Sequence, residues 1–268
     1  MVRYFLDTDE AVLECIAAPA TGAPAGASAS GTAAIVLHPW GRLGGCMHDP
    51  TVVAQYSACL RSGLFDRALR YNMRCAGRSR GKARSSSDPD VDDLVALCRH
   101  VLSEPLQAAA SGGGGQAGGA PALAPARRVV LIGYSYGSCV AARALARVPE
   151  AVAYVSIGFP LGVLSRLFLG AGDAWAALAG AAAPKLLLIG DADNFTSLAQ
   201  LEAAAARHAA AAPAAGPLDV EIIEGADHFF AELWDGVAAR AQEWLAPRLS
   251  APEAGGGAAA AAAGRVDG

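Results

Sequence analysis

The chain carries no excess of positive charge. Its 21 lysines and arginines are outnumbered by 25 aspartates and glutamates, for a formal net charge of -4, and the cations are scattered rather than gathered into a stripe. Binding to a phosphate backbone draws on a basic field that releases counterions, so no nucleic-acid partner is expected. Nothing approaches the run of about 18 uninterrupted apolar residues that a membrane helix requires, so no membrane span is expected. The opening MVRYFLDTDE reaches Asp7, Asp9 and Glu10 before any apolar stretch long enough for a signal peptide, and it is too acidic for a transit peptide. The six cysteines show no C-x-x-C spacing, which suits reduced thiols. Together these features lead us to expect a soluble cytoplasmic protein.

The hydrophobic fraction is 53%, but much of it is alanine in low-complexity stretches. The core signal lies in short runs, IVLH, VVLIG, YVSIG and KLLLIG. Strands are expected at Val2 to Leu6, Ala11 to Ala17, Ala33 to His38, Arg67 to Asn72, Arg128 to Gly133, Val152 to Gly158, Lys185 to Gly190 and Asp219 to Ile223. The first two should form an antiparallel pair at a sheet edge. Helical spacing occupies Pro50 to Arg61, Val91 to Leu102, Tyr136 to Arg147, Ser197 to Ala211 and Ala231 to Pro247, with Asp88, Asp90 and Thr196 as N-caps. Such alternation predicts a mostly parallel eight-stranded sheet with helices on both faces, in a single α/β domain over 1–250. Two Gly/Ala-rich stretches, 104–126 and 251–268, offer few side chains to bury and are expected to be a flexible loop and a disordered tail.

VVLIGYSYGSCVAARALA reads as a buried strand, a glycine-flanked turn and a helix. That is the context in which Gly133-Tyr134-Ser135-Tyr136-Gly137 can hold an exposed serine nucleophile at the carboxyl edge of a sheet. A serine hydroxyl needs a base. Of the five histidines, His228 follows the final strand, whereas His100 and His208 fall within helices and His38 closes a strand beside Pro39. The third group, which orients the imidazole, is expected in GDADNF after Lys185 to Gly190. Asp193 is preferred to Asp191 because it clears the strand end. The order Ser, Asp, His is that of one class of α/β enzymes and not of chymotrypsin or subtilisin. For the developing oxyanion, the donors are the N–H of Tyr136 and, from HPWGRLGG, the N–H of Trp40, with Gly41 as runner-up.

These blocks, HPWGRLGGCMHD, LRYNMRCAGRSRG, GYSYGS, KLLLIGDAD and EGADHFF, together resemble a family of small bacterial-type α/β-hydrolases also found in plants and algae. The similarity spans roughly residues 30 to 245. It implies the α/β-hydrolase fold with Ser135, Asp193 and His228 as the triad. The chain departs from the family at Trp40-Gly41, where His-Pro is usual, and at Cys75, where glycine is usual.

Three further groups bear on substrate. Arg70, Asn72 and Arg74 follow a strand and either bind a polar group or, more simply, pin loops. Residues 161–184 sit where such enzymes insert a cap. A cap this short favours a small acyl ester, thioester or amide, with Leu164, Leu167, Phe168 and Trp175 either lining the site or packing in the core. The reading is therefore a carboxylesterase-like serine hydrolase that needs no cofactor and no metal. Two rivals stand beside it. One is a catalytically silent binding subunit on the same fold, and the other is a metal site from His38, His48, Asp49 and His228, which lacks the usual helical spacing.

Overall fold

In a computed structural model, residues 1–22, 30–82, 86–106, 123–211 and 215–250 are described. The expected tail at 251–268 and most of the expected loop, 107–122, lie outside them. All eight anticipated strands form: β1 (Val2–Asp7), β2 (Ala11–Pro19), β3 (Thr32–Leu37), β4 (Arg67–Tyr71), β6 (Arg128–Tyr134), β7 (Ala151–Ile157), β8 (Lys185–Gly190) and β9 (Leu218–Ile223). A ninth, β5 (Arg80–Gly81), pairs with β2. It is two residues long and exposed, which leaves no hydrophobic alternation by which to see it.

The strand order is β1-β2-β4-β3-β6-β7-β8-β9. The β1–β2 and β2–β4 pairs are antiparallel, and every pair from β4 to β9 along the path is parallel. After their first residues the central strands are fully buried and read as apolar runs because both faces are covered. Their alternate residues sort into two cores. Ile35, Leu37, Val129 and Leu131 face one side, packed by α2 (Asp88–Ser103), α3 (Tyr136–Leu145) and α5 (Ala171–Gly180). Val36, Val130 and Ile132 face the other, against α1 (Pro50–Arg61) and α7 (Trp234–Leu249). From β3 the chain moves outward to β4, then returns to β6 on the other side of β3. Loops leaving β3 and β6 diverge at that reversal, which is where open α/β sheets leave a crevice.

The remaining helices are α4 (Val163–Phe168) and α6 (Leu198–Ala211). Helix starts differ from expectation in three places. Ser87 takes the N-cap position of α2, so Asp88 and Asp90 fall in its first turn, where they face the positive end of the helix dipole. Thr196 does not cap α6. Its hydroxyl is spent on Phe159 O and Leu161 N, and Ser197 with Gln200 forms a reciprocal box instead. Helix α7 begins at Trp234 because Phe230 and Glu232 adopt left-handed backbone that a helix cannot include.

Candidate active site

Ser135 lies between β6 and α3 with φ 51° and ψ -118°, a conformation that a non-glycine residue holds only when its surroundings force it. Here they do. Ser135 N donates to Ile157 O at 2.9 Å, Ser138 N returns to Ser135 O at 2.9 Å, and the Ser138 hydroxyl donates to Gly133 O at 2.8 Å. The two flanking glycines are required by close approach. A Cβ on Gly133 would lie 2.5 Å from the Ser138 backbone, and one on Gly137 would lie 2.7 Å from His38 O. The second contact seats the loop after β3 directly against the start of α3.

The structure brings the three anticipated side chains together. His228 Nε2 is 2.9 Å from Ser135 Oγ, and His228 Nδ1 is 2.8 Å from Asp193 Oδ2. Asp193 Oδ1 accepts from Phe195 N at 2.7 Å and Thr196 N at 3.0 Å, which fixes the carboxylate plane. All three residues are buried. Asp191 is exposed and instead accepts from Gly225 N at 2.8 Å, tying its own turn to the histidine loop.

Three solved structures share this architecture. An α/β serine hydrolase homologue from Coxiella burnetii is 21% identical over 93% of this chain and 97% of its own, with a TM-score of 0.67. A protein of unknown function from Agrobacterium tumefaciens, described as a putative α/β hydrolase, is 21% identical over 92% and 96%, with a TM-score of 0.72. A Xanthomonas campestris protein described as an α/β serine hydrolase without a lid is 21% identical over 94% and 96%, with a TM-score of 0.70. The chain has the α/β-hydrolase fold. No family model matches its sequence, and no curated protein does.

Within this α/β-hydrolase fold, sequence reasoning overlooked three aromatic residues. Phe195 stacks on the His228 ring at 4.1 Å between centroids, Phe229 meets it edge-on, and the Tyr134 hydroxyl donates to His228 O at 3.1 Å. Their signal in the sequence is only adjacency, each lying within two residues of a candidate site residue.

The loop after β3 is held by His38, which has no exposed surface. Met73 N donates to its Nε2 at 2.8 Å, so the ring proton sits on Nδ1 and is donated to Pro39 O at 2.5 Å. Burial holds the imidazole pKa down to about 4, against about 6.5 when exposed. The unfolded chain therefore takes up a proton that the folded chain refuses. Stability is full above about pH 6.5 and falls as the pH drops toward 4, by about 3 kcal/mol in all for this group. The urea midpoint of the wild type should fall more steeply between about pH 7 and pH 4 than that of His38→Gln, and parallel curves would refute the assignment.

The polar residues after β4 pin loops. Arg70 donates to Met47 O at 2.8 Å, Asn72 accepts from Met47 N at 2.8 Å and donates to Glu14, and Arg74 pairs with Asp93 at 2.9 Å. Cys75 stands in left-handed backbone, φ 64°, a position that costs a side chain about 1 to 2 kcal/mol and that glycine takes freely.

A cleft of about 480 Å³ opens onto Ser135 and His228, walled by Trp40, Leu164, Phe168, Phe195 and Phe229. A second cleft, about 300 Å³, shares Trp40 and Phe168 and adds Arg42, Arg74, Asp90 and Tyr136. Trp40 and Tyr136 pack ring to ring at 6.4 Å, and the Tyr136 hydroxyl donates to Asp90 at 2.6 Å. Trp175 lines neither cleft and packs edge-on to Phe159 in the core. Among the described residues no group of three or more His, Cys, Asp or Glu could hold a metal ion, and no helix is long and apolar enough to cross a membrane. All six cysteines are free thiols.

Proposed function

We propose that the protein is a serine hydrolase of small acyl esters, a carboxylesterase in the plainest form, with thioesters and amides as neighbouring substrates. The unbroken line of hydrogen bonds from Ser135 through His228 to Asp193, at 2.9 and 2.8 Å, carries the reading. Ser135 Oγ attacks the acyl carbonyl while His228 Nε2 takes its proton. Asp193 keeps the Nδ1 proton in place and offsets the imidazolium charge. The N–H groups of Tyr136 and Trp40 receive the oxyanion, since neither has a partner among the described residues. His228 then protonates the leaving alkoxide, and a water activated by the same nitrogen releases the acid from the acyl-enzyme. Trp40 and Phe168 stand between the two clefts, so one arm of the ester lies in the apolar cleft and the other beside Asp90.

The competing reading, a silent binding subunit, draws support from the apolar residues exposed around the cleft mouth, but neither Trp40 nor α4 plugs the cleft. Covalent labelling with a fluorophosphonate decides between them. Wild type should label, and Ser135→Ala and His228→Ala should not. A folded wild type that stays unlabelled refutes the hydrolase reading.

A further inference from the structure

Helix α4 is amphipathic in the wrong direction. Its one buried residue is Ser165, while Val163, Leu164, Leu167 and Phe168 point outward at 63–71% exposure. Of the ten large hydrophobic side chains exposed among the described residues, these four, with Leu43 at 74% and Phe229 at 59%, make six in one place. Leu43, Leu164, Phe168 and Phe229 all line the cleft that opens on Ser135. They come from three separate elements, the loop after β3, α4 and the histidine loop. A cluster of exposed apolar side chains around one cleft marks a contact with something other than water.

We propose that this rim docks on a lipid surface, and that the small acyl esters hydrolysed are those that partition into it. The proposal rests on the hydrolase reading for its second half only. The position of the rim chooses the occupant. A folded protein seated there would cover the mouth of the cleft that reaches Ser135, whereas an amphiphile layer delivers ester groups to it. The cations agree. Arg42 precedes Leu43 and Arg166 lies between Leu164 and Leu167, both exposed. Apolar side chains interleaved with arginines match a layer whose acyl chains lie beneath anionic head groups.

The test uses the full chain carrying Ser135→Ala, so that no turnover intervenes, and flotation with vesicles of phosphatidylcholine containing phosphatidylglycerol. The protein should float with the vesicles, and adding Val163→Asp should weaken partitioning roughly tenfold or more, because an apolar contact is lost and a charge is set against the layer. Val163 lines neither cleft. Val163→Asp with Ser135 intact should therefore still take the fluorophosphonate at the wild-type rate, which shows that the fold and the serine are undisturbed. Protein that stays in the aqueous fraction, or that sediments as a dimer dissociated by Val163→Asp, overturns the proposal, the second outcome in favour of another copy of this chain. Flotation without fluorophosphonate labelling of the wild type upholds the docking surface and refutes the hydrolase reading alone.

Discussion

Ser135→Ala should lower ester turnover on the order of a million-fold, the loss seen where a serine and histidine act as one unit, with little change in fold. The backbone at this residue adds a second, opposite expectation. At φ 51° and ψ -118° the Cβ is strained by about 1 to 2 kcal/mol, and glycine removes that strain while costing about 0.5 to 1 kcal/mol in unfolded-state entropy. Ser135→Gly should be as inactive as Ser135→Ala and up to about 1 kcal/mol more stable in urea denaturation. If the alanine variant kept turnover within tenfold of wild type, Ser135 would not be the nucleophile. If the alanine variant were the more stable of the two, the turn would not be strained.

The second large effect concerns the imidazole tautomer. In Asp193→Asn the amide oxygen can still accept from Phe195 N and Thr196 N, so the turn survives. The amide nitrogen then faces His228 Nδ1 and forces the ring proton onto Nε2, the atom that must take the proton of Ser135. We expect kcat to fall about ten-thousand-fold with KM nearly unchanged, the size of loss attached to the wrong tautomer in Ser-His-Asp sites. The companion Asp191→Asn alters only a bond to Gly225 N and should retain activity within a few-fold. Equal losses in the two variants would mean that the loop, and not the tautomer, is what Asp193 provides.

Much of this site could be read in the residues, for a physical reason. VVLIG and KLLLIG are buried on both faces and therefore spell out their strands. The candidate side chains sit where those strands end, so Ser135, Asp193 and His228 are reached by counting from the strand boundaries. The preference for Asp193 over Asp191 follows the same logic; in the fold Asp193 is buried and Asp191 exposed. What could not be read depends on contacts distant in sequence. Thr196 looks like a helix cap until Phe159 and Leu161, more than thirty residues away, claim its hydroxyl. By sequence alone the leucines of α4 suit lining or core equally, and nothing local reveals that Ser165 is the residue that turns inward. In the sequence His38 only closes a strand beside Pro39, and its bond from Met73 N is what shows that it holds the loop.

The short bridge between Leu106 and Leu123, with reciprocal bonds of 2.9 and 3.1 Å, has a practical consequence for engineering. The chain departs after α2 and returns ahead of β6 through this single antiparallel step, at the end of the sheet opposite Ser135. Residues 107–122 are spliced between these two fixed points, and a flexible insert grafted between them costs only about 0.6 kcal/mol more per doubling of its length. This is a position at which a fluorescent reporter or an affinity handle can be grafted into the molecule, with neither terminus altered and the sheet edge that carries Ser135 left open.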